Sequence, residues 1–294
     1  MGAAEESGAR MRFFRPAPEL APYLSAIYLN DIDPAPGTRM ADTLHPEWAN
    51  LRFMEGDPGI GSIGPGEMEP TPTCVFAGPT CYGTRFETGA VRSWGIGFLP
   101  LGWTKFIAAP ADAYADRAVD AETDPILQHL ARLRPRLRDA NADPNDQAAA
   151  INNHLLGLLA TAPPDDLAVA RAHAALADPD LGTVAELAER VGISERSVAR
   201  LSRRAFGFKP KLLLRRQRFL RTLGQVMLGS NASWSSSLDA HYYDQSHFNR
   251  DFRRFMGVTP QAYLAQPRPI VDAAVRGRMA AAGAPMQVLH QPKA

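Results

Sequence analysis

Two periodicities divide the chain. From residue 10 to about residue 120, short apolar stretches (Ala26–Leu29, Leu51–Met54, Cys74–Phe76, Trp94–Leu99) are separated by turn signals at Pro34–Gly37, Gly56–Gly59 and Gly64–Gly66. This spacing predicts a mostly β domain, a barrel or a sandwich. At Asp124 the pattern turns helical: Asp124-Pro125 pairs a cap with Pro at a first helical position, and Ile126, Leu127, Leu130, Leu133 and Leu137 form an apolar stripe. A second helix, opened by Asn145-Asp146, carries Ile151, Leu155, Leu156, Leu158 and Leu159. Thr161-Ala162-Pro163-Pro164-Asp165-Asp166 cannot continue a helix and reads as a linker. Residues 167–266 are almost entirely helical by periodicity, and the tail 267–294, rich in Ala, Gly and Pro, is expected to be disordered. The expected fold class is α+β: a mostly β domain with a helical extension over 10–160, a linker at 161–166, and an all-α domain over 167–266.

The helical region repeats itself at an offset of 50 residues. Arg200, Arg203 and Arg204 correspond to Arg250, Arg253 and Arg254; Val198 and Ala205 to Phe248 and Phe255; Gly207 and Pro210 to Gly257 and Pro260. Each copy opens on a capping residue, Ser194 or Asp244, and closes at a Gly suited to the left-handed C-terminal position. Each is therefore one helix of about three turns. At about 100° per residue, Val198, Leu201 and Ala205 share one face while Arg196, Arg200 and Arg203 point away. In the second copy Phe248, Phe252 and Phe255 face inward, and Ser246, Arg250 and Arg253 outward. An apolar back with a front of Arg and small polar residues suits entry into a major groove. Ahead of the first copy, Thr183 to Ser194 reads as a helix, a turn at Gly192 and a cap, with Ala188 small enough for close helix approach. That is a helix-turn-helix signature.

Taken together, Leu187-Ala188, Gly192-Ile193-Ser194, Arg196, Arg200, Gly207, Pro210, the run Arg215 to Phe219, then Tyr242 to Phe248, Arg250, Phe252 and Gly257-Val258-Thr259-Pro260 resemble the AraC/XylS family of bacterial transcription regulators over about 100 residues. The resemblance implies two helix-turn-helix units joined by a long helix, here Pro210 to about Leu228, reading successive major-groove segments of an operator. The sequence departs from the family pattern at Ser236-Ser237, where an Ile-Ala pair is usual, at His241, where the turn Gly falls, and at Lys209, where a Ser cap often stands. Base edges and adjacent phosphates fall to Arg196, Ser197 and Arg200 in the first unit, and to Gln245, Ser246, His247, Asn249 and Arg250 in the second. Arg203, Arg204, Arg253 and Arg254 are assigned to phosphates. The segments Leu44–Phe53 and Trp94–Trp103 are similar to the barrel-like sensor domains of many such regulators, which implies a small-molecule effector. Tyr28, Trp48, Phe53, Phe76, Trp94, Phe98 and Trp103 are candidate pocket aromatics, with Trp48, Phe53, Trp94 and Phe98 assigned to the ligand. The family also implies RNA polymerase as a partner for an activator, and a homodimer through the Leu stripe of 125–159.

Composition sharpens this picture. Gly182 to Arg268 holds 15 Lys+Arg against 6 Asp+Glu, while the rest holds 17 against 25, so a basic block adjoins an acidic one although the whole carries +1. That asymmetry suits a nucleic-acid partner held by one domain. No apolar run approaches a bilayer span, the N-terminus lacks an apolar signal core, and two cysteines exclude a disulfide scaffold; a cytoplasmic protein is expected. His45 and Glu47 lack the His-x-His spacing of a metal site, so neither metal nor cofactor is expected. Cys74 and Cys81 read as small buried residues rather than a redox pair. The alternatives are a repair-type alkyl transferase bearing the same helical module and a constitutive, ligand-free DNA-binding protein. The first needs a reactive Cys in a Pro-Cys-His-Arg setting, which neither cysteine has, and no Ser-His-Asp array, P-loop or HExxH occurs, so an enzyme is not expected.

Overall fold

The computed structural model describes residues 8–229, 239, 242 and 244–290. Its N-terminal part holds β1 (Ala9–Phe14), β2 (Leu24–Ile32), β3 (Met40–Leu44), β4 (Asn50–Gly56), β5 (Ile60–Ile63), β6 (Glu69–Pro70), β7 (Cys74–Ala77), β8 (Thr84–Thr88) and β9 (Val91–Phe98), then α1 (Pro100–Phe106) and β10 (Ala118–Asp120). The strands form two antiparallel sheets, one ordered β1-β2-β9-β4-β7-β10 and the other β3-β8-β5-β6. No ladder joins the sheets among the described residues, so the barrel-like expectation resolves into two sheets rather than a closed cylinder.

Side-chain alternation along the large sheet gives it two unlike faces. Ile27 and Leu29 of β2, Leu51 and Phe53 of β4, Phe76 of β7, and Trp94, Ile96 and Phe98 of β9 belong to the main hydrophobic core. Their neighbours one position away, among them Tyr28, Asn30, Arg52 and Ser93, line a cavity on the other side. Gly95 serves that second face, because a side chain there would collide with the Tyr28 ring.

Helices close the core face. The stripe from Ile126 to Leu137 does not run as one helix but as two single turns, α2 (Gln128–Ala131) and α3 (Arg134–Leu137). Pro135, in the second of these, has no N–H to continue the first. α4 (Pro144–Leu159) follows, capped by Asp143. Leu127, Leu130, Leu133, Leu137, Ile151 and Leu155 are buried within the chain, so the greater part of the stripe considered for self-association is consumed internally. Gln147 of α4 accepts from the Trp94 indole at 3.0 Å.

The C-terminal domain contains α5 (Leu167–Ala177), α6 (Val184–Val191), α7 (Glu195–Phe206), α8 (Pro210–Leu228), α9 (Gln245–Met256) and α10 (Pro260–Ala265). A Thr183/Glu186 capping box starts α6. Gly192, Gly207 and Gly257 take φ of +79°, +83° and +75° where α6, α7 and α9 end, which only Gly adopts without strain. Ser236, Ser237 and His241, the departures in the second unit, lie outside the described residues.

The tail differs from its expected disorder. Residues 269–282 form α11 (Pro269–Ala282), which lies on β1, β2 and β3 of the N-terminal domain. Ile270, Val271 and Val275 are buried, and Gly277 sits so close to Phe13 that a side chain there would overlap the ring. The Ala-rich composition that suggested a loose tail is what allows this close approach. Asp42 of β3 supplies the helix's missing cap from another domain, its Oδ2 accepting from Ile270 N at 3.0 Å and Val271 N at 2.9 Å. Beyond α11, Gln287 donates to Ser25 Oγ at 2.9 Å and to the Ala49 carbonyl, while the Val288 carbonyl accepts from Gln217 of α8 at 2.9 Å. The tail is thus sewn into both domains. Asp42→Ala should cost about 1–3 kcal/mol, the penalty of orphaning buried donors. Chemical denaturation would measure it, and hydrogen exchange should show the α11 amides losing protection.

Candidate nucleic-acid interface and small-molecule cavity

The two reading helices are built alike. Ser194 Oγ accepts from Ser197 N at 3.3 Å, and Asp244 Oδ1 from His247 N at 2.7 Å, so each cap satisfies an orphan amide of the first turn. On α7, Arg196, Arg200, Arg203 and Arg204 are exposed and Ser197 is half-buried. On α9, Gln245, Ser246, Arg250, Arg253 and Arg254 are exposed, while His247 and Asn249 are half-buried. His247 packs edge-on against Tyr242 at 5.2 Å. Arg204 forms an ion pair with Asp166, the residue that caps α5, so its charge is partly spent within the chain. Arg203 and Arg254 line a cleft of about 560 Å³ with Lys209, Lys211 and Arg215, which Asp112 of the N-terminal domain borders.

The helix between the units is less available than its Arg run suggests. Arg215 and Arg218 of α8 both reach Asp251 of α9, which is fully buried and also accepts from the Tyr242 hydroxyl at 2.9 Å. Arg221 pairs with Asp239 at 2.5 Å. Arg216 is fully buried between the domains. Its guanidinium stacks 4.0 Å from the Trp48 ring, and Nη1 donates to the Thr80 carbonyl at 2.8 Å. Burial lowers its pKa to about 10, Cys81 and Asp116 opposing that shift. Sequence reasoning counted Arg216 among the basic residues. The signal against this was its position, three residues after Leu213 and four before Leu220, on the apolar face of α8.

One loop of the N-terminal domain, 78–83, touches every part of this apparatus. Pro79 abuts Gly207 at the end of α7, the Thr80 carbonyl holds Arg216 of α8, and Gly83 N donates to the Phe255 carbonyl of α9 at 2.6 Å. Both reading helices are therefore anchored at their C-terminal ends. A helix of 12 residues carries its first turn about 18 Å from such an anchor. A second contact joins His45 Nε2 to the Tyr263 hydroxyl at 2.6 Å. Burial holds His45 down at about 3, so it is neutral at physiological pH. Behind the loop, Asp116, at the unusual φ of +54°, accepts from Cys81 N at 2.6 Å. Cys74 and Cys81 are free and buried, and burial raises both thiols to about 12.

The cavity, about 440 Å³, lies between the two sheets and beneath α11. Met11, Ile32, Met54, Phe86, Val91 and Ile270 give it an apolar middle. At one end stand Tyr28, Glu47, Arg52 and Arg278. Arg52 pairs with Glu47 at 2.5 Å and donates to the Tyr28 hydroxyl at 3.1 Å. Of the expected pocket aromatics, Tyr28 lines this space, and Trp48, Phe53, Phe76, Trp94, Phe98 and Trp103 do not. Phe53, Trp94 and Phe98 point to the helix-covered face of the sheet, the opposite parity of the strand. Trp48 belongs to the domain junction, where it meets His173 of α5 at 6.1 Å and Phe206 of α7 at 5.5 Å. The missed signal was the polar residues Asn30, Arg52 and Ser93 inside otherwise apolar strands. Among the described residues there is no cluster of His, Cys, Asp and Glu suited to a metal, and no helix is long and apolar enough to cross a membrane.

A family model described as a helix-turn-helix domain matches residues 187–266, the span from α6 to the end of α10. Residues 187–266 are a helix-turn-helix domain. No curated protein matches the chain. Among solved structures, ToxT from Vibrio cholerae aligns at 10% identity and TM-score 0.45 over 87% of this chain and 98% of its own. ToxT bound to (E)-4-(8-methylnaphthalen-1-yl)but-3-enoic acid aligns at 12% identity and TM-score 0.45, over 77% and 96%. The AraC-like transcriptional activator CuxR aligns at 14% identity and TM-score 0.23, over 74% and 87%.

The helix-turn-helix domain thus meets the β-rich domain through a buried cation, which yields a prediction. Arg216→Met preserves much of the volume without the charge and should leave the melting temperature unchanged or raised. Arg216→Ala should lower stability by roughly 2–4 kcal/mol through the cavity it opens. Thermal melts followed by Trp48 fluorescence would separate the two.

Proposed function

We propose that the chain is a transcription regulator that reads an operator with α7 and α9 and answers to a small-molecule effector held in the cavity of its N-terminal domain. The observation that carries the DNA-binding half is the matched pair of capped helices, anchored at one loop, with Arg196, Arg200 and Arg250 exposed. Arg196, Ser197 and Arg200, with Gln245, Ser246, His247, Asn249 and Arg250, are the groups assigned to base edges and nearby phosphates. Arg203, Arg253 and Arg254 position the protein on phosphates, and Arg204 joins them on leaving Asp166. The Asp244 carboxylate, occupied by its own helix, caps rather than contacts.

The effector half rests on the cavity's size, which falls in the range of about 300–1,000 Å³ typical of ligand sites, and on its few convergent polar groups. RNA polymerase is the expected protein partner of an activator acting in the cytoplasm from such a site. The rival view, a constitutive DNA-binding protein, predicts no ligand-induced rise in melting temperature.

Arg200→Ala and Arg250→Ala should each weaken operator binding by about 1–3 kcal/mol and relax the base preference beneath that helix. Arg253→Ala should instead weaken binding uniformly across sequences and reduce its salt dependence. Genome-wide binding would supply the operator, and titrations at several salt concentrations the slope. Unchanged binding in both single-helix variants would overturn the groove assignment.

A further inference from the structure

One residue of the cavity wall also holds the loop that moors the reading helices. The wall strands β7 and β10 pair antiparallel, Ala77 opposite Ala118, and the chain leaves β7 directly into loop 78–83. Asp116 stands two residues before β10 and lines the cavity. Its N–H donates to the Pro79 carbonyl at 2.9 Å. Its Oδ1 accepts from Cys81 N at 2.6 Å and from Tyr82 N at 3.4 Å. Among the described residues it is the one non-glycine at positive φ, a region that Asp tolerates because its short side chain bonds nearby backbone. The loop has a second hold: Thr80 N donates to the Glu47 carbonyl at 2.9 Å, and Glu47 N to Thr80 Oγ1 at 2.9 Å. That hold uses the backbone of Glu47, not the carboxylate on the cavity side. At Asp116 a single carboxylate serves both loop and cavity. Oδ1 is taken by the loop, and Oδ2 makes no hydrogen bond or ion pair among the described residues. Arg216 attracts the carboxylate from beyond bonding distance.

Among the lining residues five carboxylates, Asp116 and Asp120 included, outnumber two guanidiniums, Arg52 and Arg278, and Arg52 is paired with Glu47. The cavity therefore favours a cation over an anion. Accepting the reading that the cavity takes a small-molecule effector, we propose that Asp116 is the positioning residue that couples the cavity to the reading helices, and that the effector is an amine with an apolar body whose ammonium donates to Asp116 Oδ2. Such a contact is a charge-assisted hydrogen bond. It fixes the carboxylate that holds Cys81 N and Tyr82 N, and so keeps the loop on Gly207 of α7, Arg216 of α8 and Phe255 of α9. A ligand that binds the moored loop better than the released one stabilises the mooring by that difference in affinity.

The test uses the full chain with 4-phenylbutylamine and octylamine, each beside the nitrile of the same carbon skeleton, which has neither donor nor charge. Calorimetry should show each amine binding at least about tenfold tighter than its nitrile, equivalent to about 1.4 kcal/mol. Asp116→Asn keeps an acceptor for the two amides but turns a donor towards the ligand. It should abolish that difference and leave hydrogen exchange across 78–83 in the ligand-free chain as in the wild type. Asp116→Gly permits the same backbone conformation and removes the acceptor. Without ligand it should exchange the Cys81 and Tyr82 amides and the last turns of α7 and α9 at least about tenfold faster. Melting temperatures of the ligand-free variants report that they are folded. In the wild type, and not in Asp116→Asn, 4-phenylbutylamine should slow exchange at those same sites. If Asp116→Gly does not fold, that protection and its loss in Asp116→Asn decide alone. Equal binding of amine and nitrile, an undiminished difference in Asp116→Asn, or unaltered exchange in Asp116→Gly overturns the proposal. If neither amine binds while another compound from a metabolite panel raises the melting temperature, the effector reading survives and this proposal falls; if nothing in the panel binds, both fall.

Discussion

A single buried cation organises the meeting of the two domains. Arg216 brings a guanidinium into a space where it forms no ion pair among the described residues. The stack on Trp48 and the bond to the Thr80 carbonyl are its compensation. Such a group is tolerable only when its surroundings are fixed, because a charge that loses its few partners in a dry interior is strongly penalised. Trp48 must therefore be held flat, which His173 and Phe206 do. The Thr80 carbonyl must be aimed, which the 78–83 loop does. That loop in turn contacts the C-terminal ends of α7 and α9, so the residue that satisfies Arg216 belongs to the segment that moors both reading helices.

Much of the helical domain was readable directly from its residues, because its signals are local. Caps at Ser194 and Asp244, glycines at 192, 207 and 257, and prolines at 210 and 260 act within a turn of where they stand. The bounds of α8 at Pro210 and Leu228 fell where expected for the same reason. The β domain was legible as strands separated by turns, but not as faces. Phe53 and Arg52 are adjacent, and only the packing of helices on one side and α11 on the other decides which lines the cavity. Trp94 and Ser93 pose the same problem, and large aromatics drew attention to the side that is core.

The tail shows how composition misleads when the partner surface is remote. Pro269 at the first helical position is a start signal, but the residue before it, Arg268, supplies no side-chain cap; the cap, Asp42, lies 228 positions earlier. Charge counting met a related difficulty. The excess of Arg across the helical region suggested an open basic surface, yet Arg215, Arg218 and Arg221 are engaged by Asp251 and Asp239, and Arg216 faces the other domain. The charge left for a partner lies on α7, α9 and the cleft between their ends.

The chain's route through the molecule has a consequence of its own. It builds the sheets, crosses to the helical region, and returns to lay α11 over the strands and Gln287 against Ser25. In three dimensions the DNA-reading region is an insertion within a discontinuous unit. No single cut of the polypeptide divides it into two self-sufficient pieces: severing at the linker leaves the strands without their roof, and severing after α10 leaves the reader without its second mooring. Evolutionary exchange of either module with another protein would have to carry both junctions together.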